Sequence, residues 1–205
     1  MSKIYVDEIA PKTAGSQVVV PEFVPRPGQI IEHLSSQCDG STLVGQSGTY
    51  TWPNVTAIQA ITTTYADLSG SNITYTPPTG TARVTYRFEW KFEALVNSGI
   101  SHYRLYIDST EIDGAFRTIA GEYNSNSHAE FPVAMEYTIH CNASSDDAAN
   151  AKLASWTTPK TLKIQAREYS SSYEARAHIN SWRDGTNAIA PHNVAIPHLT
   201  ITAVA

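Results

Sequence analysis

The stretch Arg83–Leu95, with the sequence RVTYRFEWKFEAL, decides the fold class of this chain. Apolar and polar residues alternate along its whole length, and a period of two places one set on each face of an extended strand. The predicted buried face consists of Val84, Tyr86, Phe88, Trp90, Phe92 and Ala94. A second alternation follows at His102–Asp108, with Tyr103, Leu105 and Ile107 facing inward. Because Asn97, Ser98 and Gly99 favour a turn between them, we expect the two strands to form a hairpin.

Similar alternations recur along the chain on both sides of this stretch. They lie at Ile58–Thr64, Ile73–Thr76, Phe131–His140, Thr161–Glu168, Ala177–Trp182 and His198–Val204. Segments rich in Pro, Gly, Ser, Asn and Asp separate them, and no segment shows strong helical periodicity. Seven or eight short strands of this kind are typical of an antiparallel β-sandwich. The sequence therefore predicts an all-β, jelly-roll-like domain over residues 29–205.

Residues 1–28 follow a different pattern and are predicted to form an extended docking arm. Prolines at positions 11, 21, 25 and 27 remove backbone donors, so the segment is unsuited to a long helix or a central strand. Its apolar residues are too few to form a core alone, and we expect them to bind a surface on another chain. The candidate docking residues are Ile4, Val6, Ile9, Val18 and Val20. A tail without a binding partner is the alternative interpretation.

The overall composition excludes several classes of function. Charged residues make up 16% of the 205 residues, against about 25% in an average protein, and the formal net charge is -5. Without a basic stripe, nucleic acid is not an expected partner. The first ten residues carry Lys3, Asp7 and Glu8 and lack the apolar core of a secretion signal, and no membrane insertion is expected. We therefore expect synthesis in a cytoplasm, with Cys38 and Cys141 reduced.

No catalytic motif emerges from the sequence. The segment Gly45-Gln46-Ser47-Gly48 fails the nucleophile-elbow pattern at Thr49, and the seven histidines show no metal-ligand spacing. Paired carboxylates for glycoside hydrolysis have candidates in Asp108, Glu111 and Asp113, but acids in such a position are ordinary turn formers. The sequence predicts no catalytic residue, no metal and no cofactor, and thus no enzyme.

Aromatic residues in polar segments are the more suggestive feature. Seven lie in or next to such segments: Tyr50, Trp52, Tyr65, Tyr123, Tyr169, Tyr173 and Trp182. Exposed aromatic rings commonly stack on sugars or contact proteins, whereas buried ones would close the ends of the sandwich. Both interpretations stay open. The candidate surface contacts among them are Tyr50, Trp52, Tyr123 and Tyr173.

The opening residues Met1–Thr13, with the sequence MSKIYVDEIAPKT, resemble the N-terminus shared by small virion proteins of cyanophages and related marine phages. In that group the opening precedes variable modules, which implies a common docking segment. A weaker resemblance joins Ile61–Leu68, Ile73–Pro77 and Tyr103–Ile112 to the jelly-roll modules of marine phage fibres and appendages, which tend to form trimers.

The resemblance implies synthesis in the cytoplasm of a host bacterium, a location in the virion and a structural role. The leading hypothesis is a homotrimeric fibre or appendage subunit, anchored by its arm on capsid, portal or tail proteins, whose sandwich contacts the host, with a cell-surface glycan as a candidate ligand. The second hypothesis is a capsid decoration protein that cements the head. A glycan-degrading enzyme is the third, and the missing catalytic motifs count against it.

Overall fold

The computed structural model describes residues 25–121, 129–180 and 194–205, and regular structure within them is almost entirely β. Three single 3₁₀ turns are the helical segments in these ranges, and none is long enough to cross a membrane. The strands are β1 Ile30–Gln37, β2 Thr42–Val44, β3 Thr49–Thr51, β4 Gln59–Ile61, β5 Ala66–Asp67, β6 Ile73–Tyr75, β7 Arg83–Ala94, β8 Ser101–Ile107, β9 Thr110–Glu111, β10 Arg117–Ile119, β11 Ala129–His140, β12 Lys160–Glu168, β13 Ala175–Ala177 and β14 His198–Val204.

Two antiparallel sheets form a sandwich with jelly-roll topology. In the first sheet, β11 lies beside β7, which pairs on its other side with β14 and β13, and these pair in turn with β1 and β4. In the second sheet, β9 and β10 lie beside β8, followed by β12 and then by β5 and β6. First and last strands are neighbours in the first sheet, as two interleaved Greek keys require. The predicted all-β, jelly-roll-like class is confirmed.

Strand β7 supplies the centre of the core. All six residues of its predicted inner face are buried, none more than 3% exposed. Trp90 stacks on Phe88 within the strand, with ring centroids 5.5 Å apart, and meets Tyr103 of β8 at 5.1 Å. The second contact joins the two sheets, because β8 belongs to the other layer. Burial of rings of this size removes about 150 to 250 Å² of each ring from water. The inner face of β7 therefore contributes a large buried apolar area to the core.

The predicted hairpin between the first two alternations is wrong. Strand β7 pairs with β11, β13 and β14, whereas β8 lies in the opposite sheet between β10 and β12. Both strands carry an apolar inner face, and the two faces bury each other only when the strands lie in facing sheets. The turn itself is as predicted, with Asn97 and Ser98 at positive φ. At Gly99 an added Cβ would lie 2.5 Å from the Ala94 Cα, so the chain needs glycine there to cross between sheets.

Strand β1 has a buried carboxylate on its inner face, which hides it from a search for apolar alternation. Glu32 is 6% exposed and accepts hydrogen bonds from the Tyr75 hydroxyl at 2.6 Å and from the Ser47 hydroxyl and backbone N–H at 2.6 and 2.9 Å. Burial and the neighbouring Glu32 raise the pKa of Tyr75 above its usual range, so its hydroxyl stays a donor. The carboxylate thereby ties β1 to the β2–β3 hairpin and to β6.

Strand β11 has a neighbour on one side only among the described residues, so it forms an edge of the first sheet. It follows β7 over twelve paired positions, from Ala129 opposite Ala94 to His140 opposite Arg83. Pro132 lies within this edge, opposite Lys91, and is exposed to solvent. Proline is tolerated in a strand at such an edge because its missing N–H costs the sheet no ladder bond there.

His178 follows β13 and is fully buried in a left-handed backbone conformation, with φ of 65°. Its ring meets Phe88 edge-on at 6.4 Å, and neither ring nitrogen has a hydrogen-bond partner among the described residues, although the ring faces the backbone of Ser69. Burial disfavours the imidazolium and lowers the pKa of His178 to about 4. The neutral ring is therefore the form that the fold accepts.

This burial makes the stability of the protein depend on pH in the acid range. Well above pH 6.5 His178 is neutral in the folded and unfolded states, so it adds no pH dependence there. As the pH falls from 6.5 towards 4, only the unfolded chain takes up the proton, and stability falls by up to about 3 kcal/mol. Urea unfolding at several pH values should show this slope reduced in His178→Gln and unchanged in the exposed variant His140→Gln. An identical slope in His178→Gln and the wild type would contradict the assignment.

Candidate functional site

The structure divides the predicted surface contacts into different environments. Trp52 is 1% exposed, and its indole N–H donates to the Leu199 carbonyl oxygen at 3.1 Å, so its prediction as a surface contact is wrong. It lies between Thr51 and Pro53 in a loop-like segment, but its side chain packs into the core between strands. Tyr50 is half-buried, and its hydroxyl donates to the Thr76 carbonyl oxygen at 2.9 Å, while an edge of the ring lines a surface groove of about 440 Å³.

Several predicted contact residues lie outside the described residues. These are the docking residues Ile4, Val6, Ile9, Val18 and Val20 and the aromatic residues Tyr123 and Trp182. The docking arm therefore stays a prediction, and only residues 25–28 of the predicted segment are described. There, the Gly28 N–H donates to the Ala205 carbonyl oxygen at 2.7 Å, which places the start of the sandwich beside the end of β14.

Four rings form a continuous series on the outer surface of the second sheet, which we call the aromatic row: Phe116, His102, Tyr169 and Tyr173. Phe116 stacks on His102 with centroids 5.7 Å apart, His102 meets Tyr169 at 6.2 Å, and Tyr169 meets Tyr173 edge-on at 5.5 Å. Phe116 is 42% exposed and Tyr169 is 57% exposed. Two of the largest exposed apolar groups of the described chain therefore lie on either side of one histidine.

Strand register assembles this row from three separate segments. His102 occupies an outward position of β8 and pairs with Thr118 of β10 across the ladder. Phe116 directly precedes β10, and Tyr169 directly follows β12, the other neighbour of β8. The Tyr169 N–H donates to the Ile100 carbonyl oxygen at 2.8 Å, which fixes this residue beside the start of β8. The rigid ladder thus positions rings that are distant in sequence.

Cationic side chains border the aromatic row on one side. The guanidinium groups of Arg104 and Arg167 lie 4.0 and 5.3 Å from the ring centroid of Tyr65, in cation–π geometry. Arg104 is paired with Glu111 at 3.0 Å. Arg167 donates to the backbone carbonyl oxygens of Glu168 and Tyr169, and no carboxylate among the described residues pairs with it. Arg167 therefore contributes an unneutralised positive charge beside the row. Arg117, which directly follows Phe116 and donates to the backbone carbonyl oxygens of Gly114 and Phe116, contributes a second.

The histidine at the centre of the row is uncharged near neutral pH. Partial burial, and then the guanidinium groups of Arg167 and Arg104, lower the pKa of His102 below its usual range. Its Nδ1 lies 3.0 Å from the Thr118 hydroxyl oxygen, which helps to orient the ring. A neutral imidazole between Phe116 and Tyr169 continues the apolar surface and leaves a polar edge toward solvent.

The candidate catalytic carboxylates serve local structure. Asp108, with φ of 54°, occupies the tight turn between β8 and β9, and its carboxylate accepts from the Thr161 N–H at 2.8 Å. Glu111 is the ion-pair partner of Arg104, and Asp113 begins an exposed 3₁₀ turn. Within residues 25–121, 129–180 and 194–205, no three of the His, Cys, Asp and Glu side chains cluster in a way that would hold a metal ion. Cys38 and Cys141 are free thiols in the core.

The aromatic row and the start of the sandwich lie at opposite ends of the fold. Ile30, the first residue of β1, pairs with Val204, and Val204 pairs with Arg83, the first residue of β7. Strand β8 begins at the other end, where it follows the turn after Ala94, and carries His102 as its second residue. From His102 to the arm-side turn at Asp108 the strand spans about 20 Å.

Comparisons with known proteins found likenesses of structure alone. No protein-family model and no curated protein matches the sequence. The chain is similar to the EclA C-terminal domain, a sugar-binding protein, at 13% identity over 66% of this chain and 84% of that chain, with a TM-score of 0.34. It is similar to PRD1 vertex protein P5 at 10% identity over 86% and 98% of the two chains, with a TM-score of 0.35. Because such TM-scores do not establish a shared fold, the jelly-roll assignment rests on strand order.

Substitution of single aromatic residues should change the free energy of unfolding much more for a core ring than for a surface ring. Trp52→Ala should destabilise the protein by about 3 to 5 kcal/mol, because it empties a buried site. Tyr169→Ala and Phe116→Ala should each cost less than about 1 kcal/mol, because both rings are largely exposed. Chemical denaturation of the three variants measures the difference. A loss of several kcal/mol in Tyr169→Ala would mean that this ring belongs to the core.

Proposed function

We propose that this protein is a non-enzymatic structural protein of a bacteriophage virion, a fibre or appendage subunit. Its N-terminal arm anchors it to the particle, and its jelly roll is displayed for adhesion to the host. The observation that carries the proposal is the exposed aromatic row at the end of the sandwich opposite the arm. A domain tethered at one end and carrying exposed rings at the other is suited to present those rings away from the particle.

Sequence supports the anchoring half of the proposal. The opening Met1–Thr13 resembles the N-terminus of small virion proteins, and four prolines in residues 1–28 disfavour a compact fold for this segment. A short extended segment can bind by adding a strand or by filling a groove on its partner, with Ile4, Val6 and Ile9 in pockets. Anchoring partners in this proposal are capsid, portal or tail proteins.

The outer face of the first sheet supports self-association. Short polar side chains form ladders across neighbouring strands, with hydrogen bonds between Ser35 and Thr200 at 2.9 Å and between Thr85 and Thr138 at 3.0 Å. Beside these ladders, Arg87 is held in ion pairs with Glu89 and Glu136 at 2.6 and 3.0 Å. Such a face requires little further side-chain ordering on contact, because its short side chains have few rotamers and its long ones are already paired. We propose that it forms the interface of a homotrimer, the assembly that the fibre resemblance implies.

The same outer face of the first sheet is also consistent with the second candidate, a capsid decoration protein. There it would lie on the shell, and the arm would bridge neighbouring capsid subunits. The two candidates differ in what they leave exposed, because a decoration protein does not need accessible rings at the far end. Cryo-electron microscopy of intact virions that carry a labelled form of the protein distinguishes the two candidates. The label should lie on a protruding appendage if the protein is a fibre subunit, and in a layer on the head if it is a decoration protein.

The arm should be needed for incorporation and dispensable for folding. Deletion of residues 2–24 should leave thermal unfolding almost unchanged, while the truncated protein fails to enter particles in a complementation assay. Replacing Ile4 and Val6 with Asp in the full chain should reproduce the defect, because each lost burial removes about 1.5 to 3 kcal/mol of docking energy. Replacing Ser16 and Gln17 with Ala is the matched control and should have no effect. Unfolding of the truncated protein would show that the arm belongs to the fold.

The isolated protein should be a trimer by light scattering at micromolar concentration. Thr200→Arg places an additional long charged side chain on the outer face of the first sheet and should yield monomers. Thr63→Arg, in the exposed link between β4 and β5, is the matched control and should remain trimeric. A monomeric wild type would refute the homotrimer, and a trimeric Thr200→Arg variant would move the interface to another face.

A further inference from the structure

We propose that the aromatic row binds an acidic sugar residue of a glycan, with the ring of the sugar on Phe116 or Tyr169 and its carboxylate on Arg167. This inference deepens the proposed adhesive function, on which it rests, by naming the class of ligand for its site. The argument has three parts, concerning the rings, the charge and the neighbouring acids.

The rings offer flat faces of the kind on which sugars stack. The face of an aromatic ring carries negative charge and its edge positive charge, so the polarised C–H groups of a pyranose are attracted to the face. Phe116 and Tyr169 lie on both sides of His102 and are 42% and 57% exposed, so part of each ring is accessible to a sugar. The polar atoms of His102, Tyr169 and Tyr173 supply hydrogen-bonding edges that suit hydroxyl groups.

The charge of the surface favours an anionic ligand. Of the cations on this outer face, Arg104 is neutralised by Glu111 at 3.0 Å and Lys163 by Asp67 at 2.9 Å. Arg167 lies on the same strand as Lys163 and has backbone carbonyl oxygens, but no described carboxylate, as partners. A guanidinium group with donors to spare binds carboxylates well, often through two hydrogen bonds. Arg167 pairs with His102 across the ladder, which places this unneutralised cation beside the centre of the row, where it fits one acid group on the ligand.

The neighbouring acids do not cancel this charge and count against a polyanion. Glu168 is next to Arg167 in sequence but points to the opposite face, where it lines a separate groove with Glu174 and Arg176. Asp67 and Glu111 flank the cationic side chains on the outer face. They would repel the regularly spaced phosphates of a nucleic acid, which needs a continuous basic track. A ligand with a single acid group per stacked ring meets Arg167 without approaching both acids.

The test uses the full chain and pairs of glycans that differ in charge alone. Oligogalacturonate, alginate oligomers and sialyllactose are each compared by calorimetry with their carboxyl-reduced, neutral counterparts. At least one acidic member should bind about tenfold more tightly than its reduced form, the value of one charged hydrogen-bonded contact. Arg167→Gln should abolish this preference while retaining weak binding of both forms. Tyr169→Ala and Phe116→Ala should weaken both forms together.

Lys152→Gln, which removes an exposed cation near His140 at the arm end of the fold, is the matched control and should bind like the wild type. The proposal is overturned if no member of the panel binds, if acidic and reduced forms bind equally, or if Arg167→Gln keeps the preference. It is also overturned if Phe116→Ala and Tyr169→Ala lose trimer mass or particle incorporation, because the row is then a protein contact.

The experiment separates failure of this inference from failure of the proposed function. If particles incorporate the protein and require it for adsorption while the acidic glycans fail to bind, the adhesive function stands and the ligand class is wrong. If purified protein binds an acidic glycan through Arg167 but is never found in particles, the site stands and the virion function is wrong.

Discussion

Contact between Trp90 and Tyr103 across the sandwich is the interaction on which the rest of the fold depends. It joins the central strand of one sheet to the central strand of the other, at a ring separation of 5.1 Å. Once these two strands face each other, the outward residues of β8 must point to solvent, because side chains alternate along a strand. His102, Arg104 and Tyr106 are therefore displayed as a direct consequence of the core. The surface that we propose for ligand binding is thus the outer face of the same strand whose inner face packs in the core.

Strands with one apolar and one polar face were predictable from sequence, and strands that break this pattern were not. Both β7 and β12 satisfy the alternation, and their predicted bounds differ from the observed ones by one residue at most. Strand β1 was missed because Glu32 occupies an inward position, and its burial is compensated by Tyr75 and Ser47, which are distant in sequence. The β7–β8 hairpin was predicted wrongly for a related reason. A turn signal shows where the chain reverses, but only long-range packing decides which sheet receives the next strand.

The candidate site was predictable only in part. Tyr173 is one of the predicted surface contacts, and Tyr65 and Tyr169 belong to the wider set of aromatic residues in polar segments for which both interpretations were open, whereas His102 and Phe116 do not stand out. Their proximity arises from the register of β8 with β10 and β12, which no local pattern encodes. Trp52 is the opposite case, because its position in a polar segment predicted exposure but its indole is buried. Position in a polar segment therefore indicates exposure less well than position in the strand ladder.

Pro132 in strand β11 has a consequence for the behaviour of the protein at high concentration. A long, straight edge strand offers a row of free backbone groups on which another chain can add, and this is a common route to aggregation. Proline lacks the N–H that such an added strand would need, so it interrupts the row in the first half of β11. Copies of this domain crowded together would thus meet along an edge that resists fibril-like pairing. Pro132 is therefore expected to oppose aggregation, although it belongs neither to the core nor to the candidate site.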